Sequence, residues 1–429
     1  MLRSLLTIVL LTSFSTIGAQ KILTNKNFSK TLSYKEYLNL ATKSNLLLAA
    51  EKYKVNEADA KISLAKIFPN PQFTFGEASG DITGQHLQQQ IFVGVNQTIP
   101  RGGKYKQGIK IAKTEKELEI ALYEDYLRVF KLDVTKRFIN VLIAQMDYEK
   151  NSKTNELMQT ELKKKENSGE IKGVELYRLQ IEAGQILDQL YQSEAELEIA
   201  LYDLYIPLSN YNKDSSITVK GSLEIPFKKF NIDSIMPIAL EERTDVVMAK
   251  KRYMLSEEHK KLAKANRRKD LDITFGNNSY TEATNYIGPT PSYQAITVMF
   301  SMPIAFSNLK KEDLKIAELQ RQEAENEQNY IQNLVKIEIS QSYDRYIIAE
   351  KQLQIYNSGL MESSDKVLEQ ELESYKSGKT SFLDLSESHR KLDEVYLSYF
   401  RSLKTYIYSL IELEDDMGIW DLEFKNTSK

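Results

Sequence analysis

A chain of 429 residues with 41% hydrophobic and 27% charged residues, a mean hydropathy of −0.43 and a net charge of −3 has no excess of positive charge to support a nucleic-acid partner. It contains no cysteine, which excludes a disulfide framework, a thiolate metal site, a catalytic thiol and the acyl anchor of a bacterial lipoprotein. Only a short apolar run, Leu5 to Leu11, follows Arg3 and precedes the small pair Gly18-Ala19, so residues 1–19 read as a secretory signal and not as a membrane span.

The first repeat, 20–204, opens on a helical pattern from Tyr34 to Lys66 that Pro69-Asn70-Pro71 ends. Two strand-like stretches follow within 72–99, and in the second Ile91, Val93, Val95 and Ile99 alternate with small or polar residues. Pro100-Arg101-Gly102-Gly103 closes the strand, and a helix from Lys104 to Asn167 is predicted with a seam of Leu118, Leu122, Val129, Leu132, Ile139, Ile143 and Met146. Glycine after that helix marks a tip at 168–176, and the next seam runs Leu176, Leu179, Ala183, Ile186, Leu190, Leu197, Ala200 and Leu204. Two long helices joined so tightly must form an antiparallel hairpin.

Periodicity fails over 205–242, where Pro207, Gly221, Pro226 and Pro237 suggest a connector with one short strand at Ile217 to Val219. The second repeat, 243–415, replays the first: a helix, strands within 271–302 with Gln294, Ile296, Val298, Phe300 and Met302 on one side, and two long helices around a tip at 377–385. Thr74-Phe75-Gly76 recurs as Thr274-Phe275-Gly276, Ile99-Pro100 as Met302-Pro303, and Ser168-Gly169 as Ser377-Gly378. Residues 416–429 read as a tail. Four short strands cannot make a stable barrel alone, so either several chains pool them or each pair packs against its own helices; pooling is the better explanation, because it accounts for signal, strand length, alternation and long helices together.

With its tandem repeat and two tips, the chain resembles the TolC-type outer-membrane factors. Tyr375-Lys376-Ser377-Gly378-Lys379-Thr380-Ser381-Phe382-Leu383-Asp384-Leu385 is similar to that family's second-repeat tip, and Gly169-Glu170-Ile171-Lys172-Gly173-Val174-Glu175-Leu176 to its first. The resemblance implies a mainly α protein with membrane β strands: a homotrimer whose twelve-stranded barrel, four strands per chain, continues into a long coiled-coil periplasmic tunnel. It implies an exit channel of a tripartite efflux or type I secretion system, with a periplasmic adaptor, an RND or ABC pump and outer-membrane lipid as partners and no cofactor.

Under the same resemblance Asp384 and Glu387 narrow the periplasmic end of the pore. Gly169, Glu170, Ile171, Lys172, Gly173, Gly378, Lys379, Thr380 and Ser381 form the tip turns and candidate adaptor contacts. The residues themselves offer a plainer account of Asp384, as the third helical residue of a capping box begun by Ser381. Pro100, Arg101, Lys104 and Pro303 mark strand-to-helix boundaries, with Arg101 and Lys104 near lipid headgroups, and Tyr280, Tyr286 and Tyr293 are candidates for an aromatic belt. His86, His259 and His389 stand isolated and read as surface or packing histidines. The competing architectures are a periplasmic adaptor, which would carry one hairpin and more β sequence, and an exported coiled coil, which leaves the strand pairs unexplained. An enzyme is disfavoured because no triad, metal cluster or cofactor loop emerges.

Overall fold

The computed structural model describes residues 30–418 except 83–84, 87, 169–172, 211–215, 224, 285–287 and 305–309. The expected signal, the end of the tail, Tyr286 and the tip residues Gly169, Glu170, Ile171 and Lys172 therefore lie outside the described residues. Strand β1 (Lys30–Leu32) leads into helices α1 (Tyr34–Ser44) and α2 (Leu46–Ala65), strands β2 (Gln72–Ala78), β3 (Asp81–Ile82), β4 (Gln85–His86) and β5 (Gln90–Ile99), and helices α3 (Lys104–Ser168), α4 (Val174–Asp203) and α5 (Tyr205–Leu208). After β6 (Ile217–Val219) come α6 (Ile232–Glu242), α7 (Thr244–Ala265), β7 (Leu271–Tyr280), β8 (Ala283–Thr284), β9 (Pro289–Thr290), β10 (Tyr293–Ser301), α8 (Lys311–Ile355), α9 (Met361–Lys376) and α10 (Phe382–Asp416).

The helix expected from Tyr34 to Lys66 is broken at Asn45, whose extended backbone ends α1 and whose side chain accepts from Leu48 N at 2.7 Å to start α2. Its amide also donates to Pro207 O at 2.9 Å, fixing the kink to the end of the first hairpin. Arg243 makes the same extended break between α6 and α7. Helix α6 thus matches α1, and the stretch read as an aperiodic connector holds a helix. Pro237 inside it hid the pattern.

Helix α3 is continuous over 65 residues, roughly 97 Å at the standard rise. Its counterpart is interrupted between α8 and α9 by a wide turn at Tyr356–Leu360, where Gly359 takes φ +114°. The α4 seam is buried as expected, from Leu179 through Leu204. The α3 seam is buried only in part: Ile139 is fully buried and Leu132, Ile143 and Met146 pack partly buried against the core, but Val129 is 50% exposed, while Phe130, Val134, Phe138, Val141 and Leu142, off the seam, are buried. A helix flanked by α2, α4, α7 and α10 buries several faces along its length, so a single stripe cannot describe it.

Two buried clusters follow. The larger gathers Tyr34, Tyr37, Val134, Phe138, Leu204, Tyr346, Tyr406, Ile407, Leu410 and Ile411 where the parallel pair β1–β6 crosses the bundle. Its tyrosine hydroxyls find partners: Tyr37 donates to Leu204 O at 3.0 Å, Tyr346 to Lys228 O at 2.8 Å, and Tyr34 shares a hydrogen bond with Thr135 Oγ1 at 2.8 Å. The smaller packs Met158, Leu179, Ala183, Ile186, Tyr375 and Leu385 near the tips.

Candidate functional site

Four strands form one antiparallel sheet in the order β10-β7-β5-β2, so the two repeats meet at the β5–β7 pair and β2 and β10 are the edges. Counting the alternation along that order, β2 and β10 run in opposite directions. Register aligns Phe73 with Val95, Phe275 and Val298, and Phe75 with Val93, Asn277 and Ile296. The exposed apolar side chains of this face range from 36% for Ile99 to 76% for Ile296. From Ile99 to Val93 the band is about 20 Å along the strand.

The opposite face carries Thr74, Gly94, Gly276 and Thr297 in one row and Asn96, Thr274 and Met299 in the next. Gln90 Nε2 donates to Asn278 Oδ1 at 2.8 Å, Asn278 Nδ2 donates to Thr297, and Thr98 Oγ1 donates to Asp272 Oδ1 at 2.5 Å. The Phe92 ring lies flat across the notch left by Gly94 and Gly276: a Cβ at either glycine would come within 2.6 Å of a ring carbon. Tyr280 and Tyr293 stack with ring centroids 4.5 Å apart. Alternation puts both on the polar face and not among the exposed apolar side chains of the other.

At the strand-to-helix boundary Gly102 and Gly103 take φ +78° and +83°, conformations that favour glycine, and let the chain turn from β5 into α3. Asp270, which sequence reasoning missed, fastens this turn: it accepts from Arg101 N at 3.0 Å and Lys104 Nζ at 2.6 Å. Arg101 Nη1 also reaches Met302 Sδ at 3.3 Å, beside Pro303, so the boundary of one repeat is tied to that of the other. Tyr105 Oη donates to Lys66 O at 2.6 Å. Pro100 and Pro303 sit just past the ends of β5 and β10.

At the other end of the helices, Gly378 takes φ +74° and Gly173 φ +67°. Lys379 N donates to Ser374 O at 2.9 Å, and Thr380 leads into Ser381, which begins α10. Asp384 is exposed and completes a capping box: Ser381 Oγ donates to Asp384 Oδ2 at 2.7 Å and Ser381 N to the same oxygen at 3.3 Å. Glu387 is one turn further and pairs with Lys391 at 3.2 Å. The chain thus brings Gly378, Lys379, Thr380, Ser381, Asp384 and Glu387 to one hairpin end.

Between tip and sheet, α10 carries two polar nodes absent from the sequence reading. Its last turns, Glu412 to Asp416, would be disfavoured at a helix C-terminus. Each acid is met by a base from another element: Lys136 at 2.7 Å from Glu412, Lys228 at 2.6 Å from Glu414, Arg128 beside Asp415, and buried Arg243, which also contacts Asp245 and Glu338, 3.6 Å from Asp416. Burial pushes the Asp415 and Asp416 carboxyls up against the pull of Arg128 and Arg243. The acidic run itself was the available signal. Lower down, His389 is buried, and burial pushes its imidazole below its ordinary value, opposed by Asp393 and Glu182 and reinforced by Lys150. Lys150 and Asp393 are ion-paired there, and Tyr396 Oη donates to Asp365.

No family model and no curated relative matches the sequence. Solved structures do. Over 90% of its length the chain is similar to CusC, described for folding and transmembrane channel formation, with 17% identity, 92% of that chain covered and a TM-score of 0.71. It is similar over the same share to the CmeC outer-membrane channel of Campylobacter jejuni, at 16% identity, 85% coverage and a TM-score of 0.67. The MtrE outer-membrane channel of Neisseria gonorrhoeae, in its open state, aligns at 13% identity, 89% coverage and a TM-score of 0.65.

Proposed function

We propose, from a fold that is that of the TolC-type outer-membrane channels, that the chain is one protomer of a homotrimeric exit duct in the outer membrane. It would pass small molecules or proteins passively from the periplasmic side to the exterior. The observation that carries this reading is the sheet, apolar on one face, small and polar on the other, with both edges open. In lipid an open edge leaves backbone groups unpaired at several kcal/mol each, so such a sheet must close. Because the edges run in opposite directions, β10 of one copy can continue onto β2 of the next with every pair antiparallel. Two copies would give eight strands, an interior that side chains fill; three give twelve and a lumen.

Helix surfaces support the same assembly. Ile316, Leu319, Tyr330, Ile337, Ile348 and Ile355 are all more than half exposed on α8. Their steps of three, seven and eleven residues keep them on one side of the helix. A second stripe on α4 holds Val174, Tyr177, Ile181, Ile199 and Tyr202. Such faces await neighbouring copies. At the tips, the turns at Gly169–Gly173 and Gly378–Ser381 would receive a periplasmic adaptor coupled to an inner-membrane pump of RND or ABC type. Three copies each of Asp384 and Glu387 around the axis would repel anions and attract cations.

Single-channel recording of the purified protein in planar bilayers tests the reading. Cation-selective channels with Asp384→Asn lowering the selectivity are expected. Absence of any conductance from a heat-labile trimer would overturn the duct, and unchanged selectivity would leave Asp384 as a helix cap alone.

A further inference from the structure

Charge is distributed along this chain in a way that the channel reading alone does not require. The two strand segments, 72–99 and 271–301, contain no lysine or arginine, although the chain holds 57. Their ends far from the helices carry only acids among the charged residues, Glu77, Asp81 and Glu282. The sign reverses at the helical end of the sheet. Segments 65–71, 100–113, 259–270 and 302–315 hold fifteen lysines or arginines against three acids, Asp270, Glu312 and Asp313.

Two of these bases also brace the turn: Lys104 is ion-paired with Asp270, and Arg101 donates its backbone N–H to Asp270 while its side chain reaches Met302 Sδ. Others are free. Lys66, Lys106, Lys110, Lys113 and Arg268 are exposed, and these and Lys269 make no ion pair among the described residues. Lys106, Lys110 and Lys113 recur at helical spacing on one side of α3. Because the apolar band ends at Ile99 and Leu271, Arg268 and Lys269 lie within a few residues of its edge, and Lys106 and Lys110 lie within about 10 Å of the start of α3, which follows the band after the turn at residues 100–103. That depth matches a headgroup layer of roughly 6 Å plus a Debye length of about 8–10 Å.

Resting on the channel reading, we infer that Lys66, Lys106, Lys110, Arg268 and Lys269 form a basic belt that binds the phosphates of anionic phospholipid in the leaflet facing the helices. An ammonium or guanidinium at this depth meets lipid phosphate without leaving water, and its affinity rises with the anionic fraction of the leaflet. The base-free opposite rim makes the attraction one-sided, so the belt also sets the direction in which the sheet sits.

The test uses the full-length trimer in phosphatidylcholine vesicles with and without phosphatidylglycerol, reading the temperature at which the trimer dissociates on gels. Phosphatidylglycerol is expected to raise the wild-type midpoint by about 5 °C or more. The shift should vanish in Lys106→Gln/Lys110→Gln/Arg268→Gln/Lys269→Gln, with unchanged midpoints in phosphatidylcholine. Equal wild-type midpoints in both lipids would overturn the belt, as would a full shift in the variant. If the variant does not assemble, salt decides on the wild type: a shift that collapses between 0.05 and 0.5 M NaCl supports the belt (screening lengths of about 14 and 4 Å) and one that persists overturns it. Inorganic phosphate replacing phosphatidylglycerol with the same effect would also contradict a lipid site. A chain forming no trimer in phosphatidylcholine would instead count against the channel.

Discussion

Gly94 and Gly276 show how much of the polar face depends on absent side chains. Phe92 lies over both, and a Cβ at Gly94 would sit 2.6 Å from Phe92 Cζ and 3.0 Å from Phe275 O. Gly94→Ala should therefore lower the trimer's thermal midpoint, and adding Phe92→Ala should restore part of it. A double variant no more stable than the single one would assign the strain to the backbone instead. Asp384 carries a smaller, separable burden: its capping-box bonds predict a loss of about 1 kcal/mol for Asp384→Ala in thermal denaturation, whatever happens to conductance. The turn role of Gly378 and the capping box were legible because both are local patterns. Asp270, Arg243 and the Phe92 seat were not, since their partners lie far away in sequence.

Among the elements, the two hairpins differ in rigidity and in legibility. Helix α3 runs unbroken, whereas its counterpart bends at Ser358-Gly359, where φ and ψ leave the helical region. Gly359→Ala should disfavour that turn, because an alanine at φ +114° is strained, and the variant's thermal midpoint should fall. The α4 seam could be read from sequence because that helix packs mainly against one partner, α3. The α3 seam could be read only in part, because its neighbours change along its length.

His389 gives α10 a pH dependence of known sign. Its folded value lies below the ordinary 6.5, so its stabilising contribution is present above about pH 6.5 and is lost as pH falls through the folded value. Asp415 and Asp416, pushed up by burial, act in the opposite direction toward their own ordinary value of 3.8. Hence wild type minus His389→Gln isolates the histidine: the midpoint difference should shrink on acidification below pH 6.5. A pH-independent difference would contradict the buried neutral imidazole.

For the whole molecule, the repeat in sequence became a repeat in space, with β2–β5 and β7–β10 joined through β5–β7 and the kinks at Asn45 and Arg243 in matching places. What one chain leaves unfinished points outward: two sheet edges, an apolar face and exposed stripes on α4 and α8. Trimeric closure accounts for all of them at once. Cysteine crosslinking in outer-membrane fractions tests it most directly, because the native chain has none. Thr74 and Thr297 occupy one row across the sheet, three strand spacings or about 14 Å apart, beyond an 8 Å bismaleimide within one chain. Pairing Thr74→Cys on β2 with cysteine at Ala295, Thr297, Met299 or Ser301 on β10 should yield a covalent trimer for at least one pair. Monomer alone from every pair, in protein that still reaches the membrane, would contradict the closed three-chain barrel.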